Sequence, residues 1–351
     1  MRRNLLPPFE RLVTRYSLPI TVTPKILILR LSSLGDIVLT TPLLVALREK
    51  YPESRIDLVI ASEYETLAQV LPAVSRVHVF NKRSGFSGLL ALRNQLREEK
   101  YDYVLDVHDV LRTKILRQGL GKHVSVIDKR TFKRWLLVKF KYDLLKGEPD
   151  VIGRYFEAAK KLGITDDGRA PTLKATHVRD PKRIAIAPSA RHWNKRWPVE
   201  HFQRLGNTLL EKGYELTFYG SRAEIALIEE IRKGLHNGKH RSLAGELDLT
   251  DAAHSLAKCS AAITNDSGLL HVAEAVGTPV VALFGPTVKQ FGFAPRAASA
   301  VVLEVEGLYC RPCTAIGSSE CPEKHFRCMR EVGPEQVVVA LHTVIPAKAG
   351  I

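Results

Sequence analysis

The sequence predicts an α/β protein of two doubly wound domains, each a parallel sheet covered by helices. Short aliphatic runs alternate with amphipathic stretches along most of the 351 residues, the pattern of strands joined by crossover helices. The alternation occurs twice, and the two series flank the turn-rich, charged segment "GITDDGRAPTLKATHVRDPK" at 163–182, which reads as a linker. Residues suited to chemistry fall just after the aliphatic runs, and ligands of such sheets lie beyond the carboxyl ends of strands.

The elements follow in order. Residues 1–24 hold four Arg and one Glu. They read as a basic extension whose prolines, Pro7, Pro8 and Pro19, restrict a surface helix. The first domain is expected over 25–175. "KILILRL" is its first strand and "IVLTTPLLVALREKY" a helix, with Leu39, Leu43, Leu44 and Leu47 on one face. "RIDLVIA", "RVHVF" and "YDYVLDV" follow as strands, "YETLAQVLPAV" and "LLALRNQLREEK" as helices. The second domain is expected over 182–332, with strands at "RIAIAPS", "ELTFYGS", "AAITND" and "PVVALFG". Helices are read at "PVEHFQRLGNTLLEKGY", "RAEIALIEEIRKGL" and "GLLHVAEAVG". Residues 333–345 read as a closing helix and 346–351 as a patternless tail.

Composition narrows the function classes. The chain is 45% hydrophobic and 25% charged, as a globular protein with sizeable cores should be. No run approaches the roughly 18 apolar residues of a membrane span, and the N-terminus lacks a continuous signal-peptide core. A cytoplasmic protein is expected. The net charge of +15 is uneven: residues 81–146 carry 16 Lys/Arg against 7 Asp/Glu. That excess suits an anionic partner, whether nucleic acid, an acidic membrane face or a phosphorylated substrate; solvated helix faces are the plain alternative.

Three segments carry chemistry. In "AITNDSGLLHVAEAVGTPVVALFGPT", residues 262–287, a strand ends in a turn of Asn265, Asp266, Ser267 and Gly268 before a helix. The free N–H groups and dipole of that helix end make an anion site. His271 lies one turn on and can face the same ligand; otherwise Asp266 or Ser267 is an ordinary cap. In "APSARHWNKRWPVEHF", Lys195 and Arg196 stand just before a proline-started helix, placed to meet a diphosphate. In "FYGSRAEIALIEE", Glu224 falls in a first helical turn after a strand, where a carboxylate binds a ribose diol or merely favours the helix end. After the first strand, "SSLGD" holds one glycine, and neither G-x-G-x-x-G nor G-x-x-x-x-G-K-[ST] occurs. This weighs against dehydrogenases and Walker-type ATPases.

"SSLGDIVLTTP", "KRWP" and "NDSGLLHVAEAVGTPVVALFGPT", in this order, resemble the family-9 glycosyltransferases, the lipopolysaccharide heptosyltransferases, over residues 25–345. The resemblance implies a GT-B architecture, two Rossmann-like domains facing across a cleft, with the acceptor on the first and the nucleotide sugar on the second. It implies inverting, metal-independent transfer of heptose from ADP-heptose to the lipopolysaccharide inner core. Asp36 matches the family's catalytic base. Lys195, with Arg196 beside it, matches the phosphate contact, Asp266, Ser267, Gly268 and His271 the donor turn, and Glu224 the ribose carboxylate. Ser32 and Ser33 are expected on the acceptor-binding side, in the tight turn that presents Asp36 to the acceptor. In "YDYVLDVHDVLRTKIL", Asp106, His108, Arg112 and Thr113 would face the acceptor side of the cleft.

The cysteines Cys310, Cys313, Cys321 and Cys328 are spaced C-x2-C-x7-C-x6-C. They lean toward a structural zinc over disulfides, with free thiols as the alternative; no cofactor is expected in catalysis. The basic first domain suits an acidic acceptor at the cytoplasmic face of the inner membrane, as a peripheral protein. Two other readings stand beside transfer: a sugar-nucleotide epimerase or hydrolase, and a non-enzymatic binder of nucleic acid or an anionic surface. With 7% aromatic residues and no repeated stacking pattern, nucleic acid is not expected as a partner.

Overall fold

The structure is a computed structural model that describes residues 23–175, 178–236 and 238–345. Residues 1–22 of the expected extension, and the tail at 346–351, lie outside the described residues. The first domain contains strands β1 (Ile26–Leu29), β2 (Ile56–Ala61), β3 (Arg76–Phe80), β4 (Tyr101–Asp106) and β5 (Gly121–Val126). The second contains β6 (Asp180–Ala187), β7 (Glu215–Phe218), β8 (His240–Ser242), β9 (Cys259–Asn265), β10 (Val280–Phe284) and β11 (Ala300–Glu304). Every recorded pairing is parallel. The orders are β3-β2-β1-β4-β5 and β11-β10-β9-β6-β7-β8. In each sheet the winding reverses once, between β1 and β4 and between β6 and β9, and the crevice at such a reversal is where ligands bind.

The aliphatic run of β1 reflects burial on both faces. Leu27 and Leu29 pack with Leu89 and Leu96 on one side, while Ile26 and Ile28 join Leu43 and Leu47 on the other. The long helix expected after Asp36 is divided into Leu34–Val38 and Thr41–Lys50. Pro42 has no N–H to continue the ladder. The hydroxyls of Thr40 and Thr41 donate to the carbonyls of Ile37 and Val38 at 2.6 and 2.8 Å instead. The helix expected around residues 64–74 is a 3-10 segment over Ser62–Gln69.

The two domains share a continuous apolar cluster, in which Ile28 and Leu43 belong with Tyr155, Leu270 and Ala273. Asp150 caps the helix Val151–Ala158, and Arg296 from the second domain grips Asp150 and Asp166 at 2.5 and 2.6 Å. Gly292 (φ +87) lies so close that a Cβ there would meet the Val151 nitrogen at 2.6 Å; the turn requires glycine. The helix Pro334–Val344 packs on the second domain, where Val337 and Leu341 share a core with Phe202 and Phe218.

Candidate active site in the interdomain cleft

The two switch points open into one cleft of about 1160 Å³ lined by both domains. On the first domain, Ser33 caps the helix Leu34–Val38, and its N–H and hydroxyl donate to Asp36 Oδ2 at 3.1 and 2.6 Å. Arg30, at the carboxyl end of β1, meets Asp36 Oδ1 at 2.5 Å. Burial pushes the Asp36 carboxyl up, but the Arg30 guanidinium and the Ser33 donors outweigh it and hold the group below the usual range. Asp36 is therefore an oriented, ionised carboxylate at neutral pH. His108 follows β4 and lines the same wall. Burial, then nearby Arg30, Lys129 and Lys82, pushes its pKa down to about 3, so its ring is neutral at physiological pH.

On the second domain, Ser267 caps the helix Gly268–Ala275, whose open end faces the cleft. Asp266 Oδ2 accepts from Lys195 Nζ at 2.5 Å and from the Thr287 hydroxyl at 2.7 Å. Asn265 fixes the loop that carries Lys195: its oxygen accepts from Trp197 N at 3.1 Å and its amide donates to Pro188 O at 2.6 Å. Glu224 lines the cleft after β7 and accepts from Ser221 N–H at 2.6 Å. His271 is buried and reaches the cleft wall. The two halves touch here, because a Cβ on Gly35 would stand 2.5 Å from His271 Cδ2 and 3.4 Å from Gly268 Cα.

Most expected site residues thus converge: Ser32, Ser33, Asp36, His108, Lys195, Glu224, Asp266, Ser267, Gly268 and His271 all line the cleft. Four do not. Asp106 is fully buried and accepts from His108 N, Asp109 N and Arg117 at 3.1, 2.8 and 2.8 Å, so it shapes the loop from beneath. Thr113 bonds back to Val110 N at 3.0 Å, closing the start of its own helix. Arg112, one position earlier, is exposed outside the cleft lining. Arg196 donates to Ala190 O at 2.8 Å and lines a separate groove beside Trp193 and Trp197.

The cleft also gains cations that sequence reasoning missed. Arg30 follows β1 directly and breaks the apolar stretch "KILILRL", which was the one legible signal. Lys129, Arg134 and Arg154 line the cleft, and among the described residues none forms an ion pair. Burial is the leading cause that pulls all three below their ordinary values. At the cysteine quartet, Cys310 Sγ lies 3.7 Å from His325 Nε2. Among the described residues no three His, Cys, Asp or Glu side chains are gathered to hold a metal. Burial pushes the Cys313 and Cys328 thiols up to about 11 and 12.

Two Rossmann-ordered domains meet at their switch points, with a carboxylate on one side and an anion-binding helix end on the other, which is the GT-B architecture. A family model, glycosyltransferase family 9 (heptosyltransferase), matches residues 89–324, and the chain belongs to that family. It is 28% identical over 357 residues to lipooligosaccharide heptosyltransferase 2 of Haemophilus ducreyi, covering 92% of this chain and 99% of that one. The crystal structure of a family-9 glycosyl transferase from Veillonella parvula superposes with a TM-score of 0.76 at 23% identity, over 92% and 97% of the chains. That of the ADP-heptose lps heptosyltransferase II of E. coli gives 0.71 at 24% identity, over 92% and 98%.

Proposed function

We propose that this protein moves heptose from ADP-heptose to the lipopolysaccharide inner core, by a single inverting displacement that needs no metal. One observation carries the reading: the Asp36 turn and the 266–271 turn, from opposite domains, abut at Gly35, Gly268 and His271. A nucleophile prepared on one side and a leaving group held on the other can meet there without long-range motion.

Asp36 takes the proton of the attacking hydroxyl, since it is ionised, oriented and in the cleft. The departing diphosphate gains negative charge. Lys195, the Ser267 hydroxyl and the N–H groups at the start of Gly268–Ala275 meet it. Lys195 is tethered to Asp266, so the diphosphate shares that ammonium with a carboxylate already in place. Glu224 holds the ribose diol. Lys129, Arg134 and Arg154, which form no ion pair among the described residues, favour an acceptor bearing acidic groups. Such an acceptor resides at the cytoplasmic face of the inner membrane, where the protein would sit peripherally; no described helix is long and apolar enough to cross a membrane.

The test is ADP release from ADP-heptose, with and without a heptose-deficient core acceptor. Transfer predicts release only with acceptor, undiminished by EDTA. Release without acceptor would replace transfer by hydrolysis, and no binding of ADP would overturn the reading altogether.

A further inference from the structure

The helix Thr131–Phe140 has two unlike faces. Its inner side carries Leu137, buried against Leu145 and Phe291, and Arg134, whose guanidinium lies 5.0 Å from the centre of the Phe291 ring. Its outer side carries Phe132 and Trp135, 66% and 50% exposed. Phe140 and Tyr142, both 62% exposed, extend the patch at the helix end. The rings are gathered: Phe132 and Trp135 lie 6.0 Å apart centre to centre, and Trp135 and Phe140 5.4 Å. A helix face turned to water ordinarily carries charge, and a contiguous aromatic patch marks a contact surface.

The surrounding charge identifies the contact. Residues 129–146 hold seven Lys/Arg and a single acidic residue, Asp143. Arg130 and Lys133 are taken up by Asp128, Glu148 and Glu157. Lys139, Lys141 and Lys146 form no ion pair among the described residues. Aromatic rings at headgroup depth with unpaired lysines around them form the pattern of an interfacial helix on an anionic bilayer. Arg134, on the opposite side of the same helix, lines the cleft. The helix therefore stands between the aromatic surface and the acceptor side of the site.

We propose that the face built from Phe132, Trp135, Phe140 and the lysines beside them seats this protein on an anionic lipid bilayer, with the cleft next to the membrane. The proposal rests on the reading of a lipid-borne acceptor. The full chain is sedimented with vesicles of phosphatidylethanolamine and phosphatidylglycerol, and with phosphatidylcholine vesicles. Binding to the anionic vesicles alone is expected. The triple variant Phe132→Ser/Trp135→Ser/Phe140→Ser and the pair Lys139→Glu/Lys146→Glu should each weaken it by roughly tenfold or more. Both should keep the wild-type rate of ADP release with a delipidated, soluble acceptor. That rate reports the transfer reading independently, so the two readings fail separately. Equal binding to both vesicle types, or undiminished binding by the triple variant, would overturn the proposal. So would loss of self-association in the triple variant with vesicle binding intact, which would assign the face to a second copy.

Discussion

Gly35→Ala probes the contact on which the active-site reading depends. The added methyl would stand 2.5 Å from His271 Cδ2, about 1 Å inside the normal 3.5–4.0 Å carbon separation. His271 is 4% exposed and cannot swing into solvent, and the backbone of Gly268 lies behind it at 3.4 Å. The cheapest relief is to part the two turns by about 1 Å, at a cost of about 1–3 kcal/mol. A misplacement of that size costs about 100-fold in rate when two reacting groups come from opposite sides. Steady-state ADP release should therefore show kcat reduced by about two orders of magnitude. ADP affinity, measured by calorimetry, should stay within about threefold, because the donor groups lie within the second domain. A variant with wild-type kcat would show that Asp36 and the donor turn do not need this contact, and the proposed geometry of transfer would fall.

Three further outcomes follow from individual groups. His108 is neutral when folded, with a pKa of about 3, and has an ordinary value of about 6.5 when unfolded, so the unfolded chain binds the extra proton between these limits. Stability is lost as pH falls from about 6.5, by about 2 kcal/mol at pH 5, and chemical denaturation of His108→Asn should lack that part of the loss. Lys195→Ala removes the cation facing the leaving group and leaves the Asp266 carboxylate, among the described residues, with the Thr287 hydroxyl alone; kcat should fall about 100- to 1000-fold. Arg134→Gln should raise the KM for an acidic acceptor about tenfold and leave the KM for ADP-heptose unchanged.

How much was legible follows from burial. Strands such as β1 and β10 are buried throughout, and their unbroken apolar runs announce them. The edge strand β5, "GKHVSV", has no fully buried residue; β8 is three residues long and none of them is buried. Neither leaves a run to read. The second-domain site was the more legible, because turn, anchor and helix end lie within a few residues of one another between Asn265 and His271. The acceptor wall was less so. Asp106 and Thr113 have the right chemistry at the right end of β4, yet both serve their own loop, a choice made by side-chain rotamers rather than by spacing. Lys129, Arg134 and Arg154 lie on different segments, and only the fold shows that they share a wall, where among the described residues none of them has an ion-pair partner.

Asp36 raises the question of whether a residue that caps a helix can also take a proton. A carboxylate offers about four lone-pair sites. Ser33 N–H, the Ser33 hydroxyl and Arg30 occupy three, which leaves room for one acceptor hydroxyl. The two roles separate by mutation. Ser33→Ala removes one hydrogen bond to the cap but keeps the backbone donor and the carboxylate, so it should cost about 1 kcal/mol of stability and little kcat. Asp36→Asn keeps an oxygen for the Ser33 N–H but leaves Arg30, 7% exposed, without its counter-charge. The expected cost is about 3–5 kcal/mol of stability, together with a kcat lower by about 100- to 10,000-fold. Thermal unfolding and ADP binding on both variants distinguish lost folding from lost chemistry. Should Ser33→Ala reduce kcat as far as Asp36→Asn while both still bind ADP, the carboxylate acts only by holding the turn, and the base must be sought elsewhere on the wall, at the neutral ring of His108.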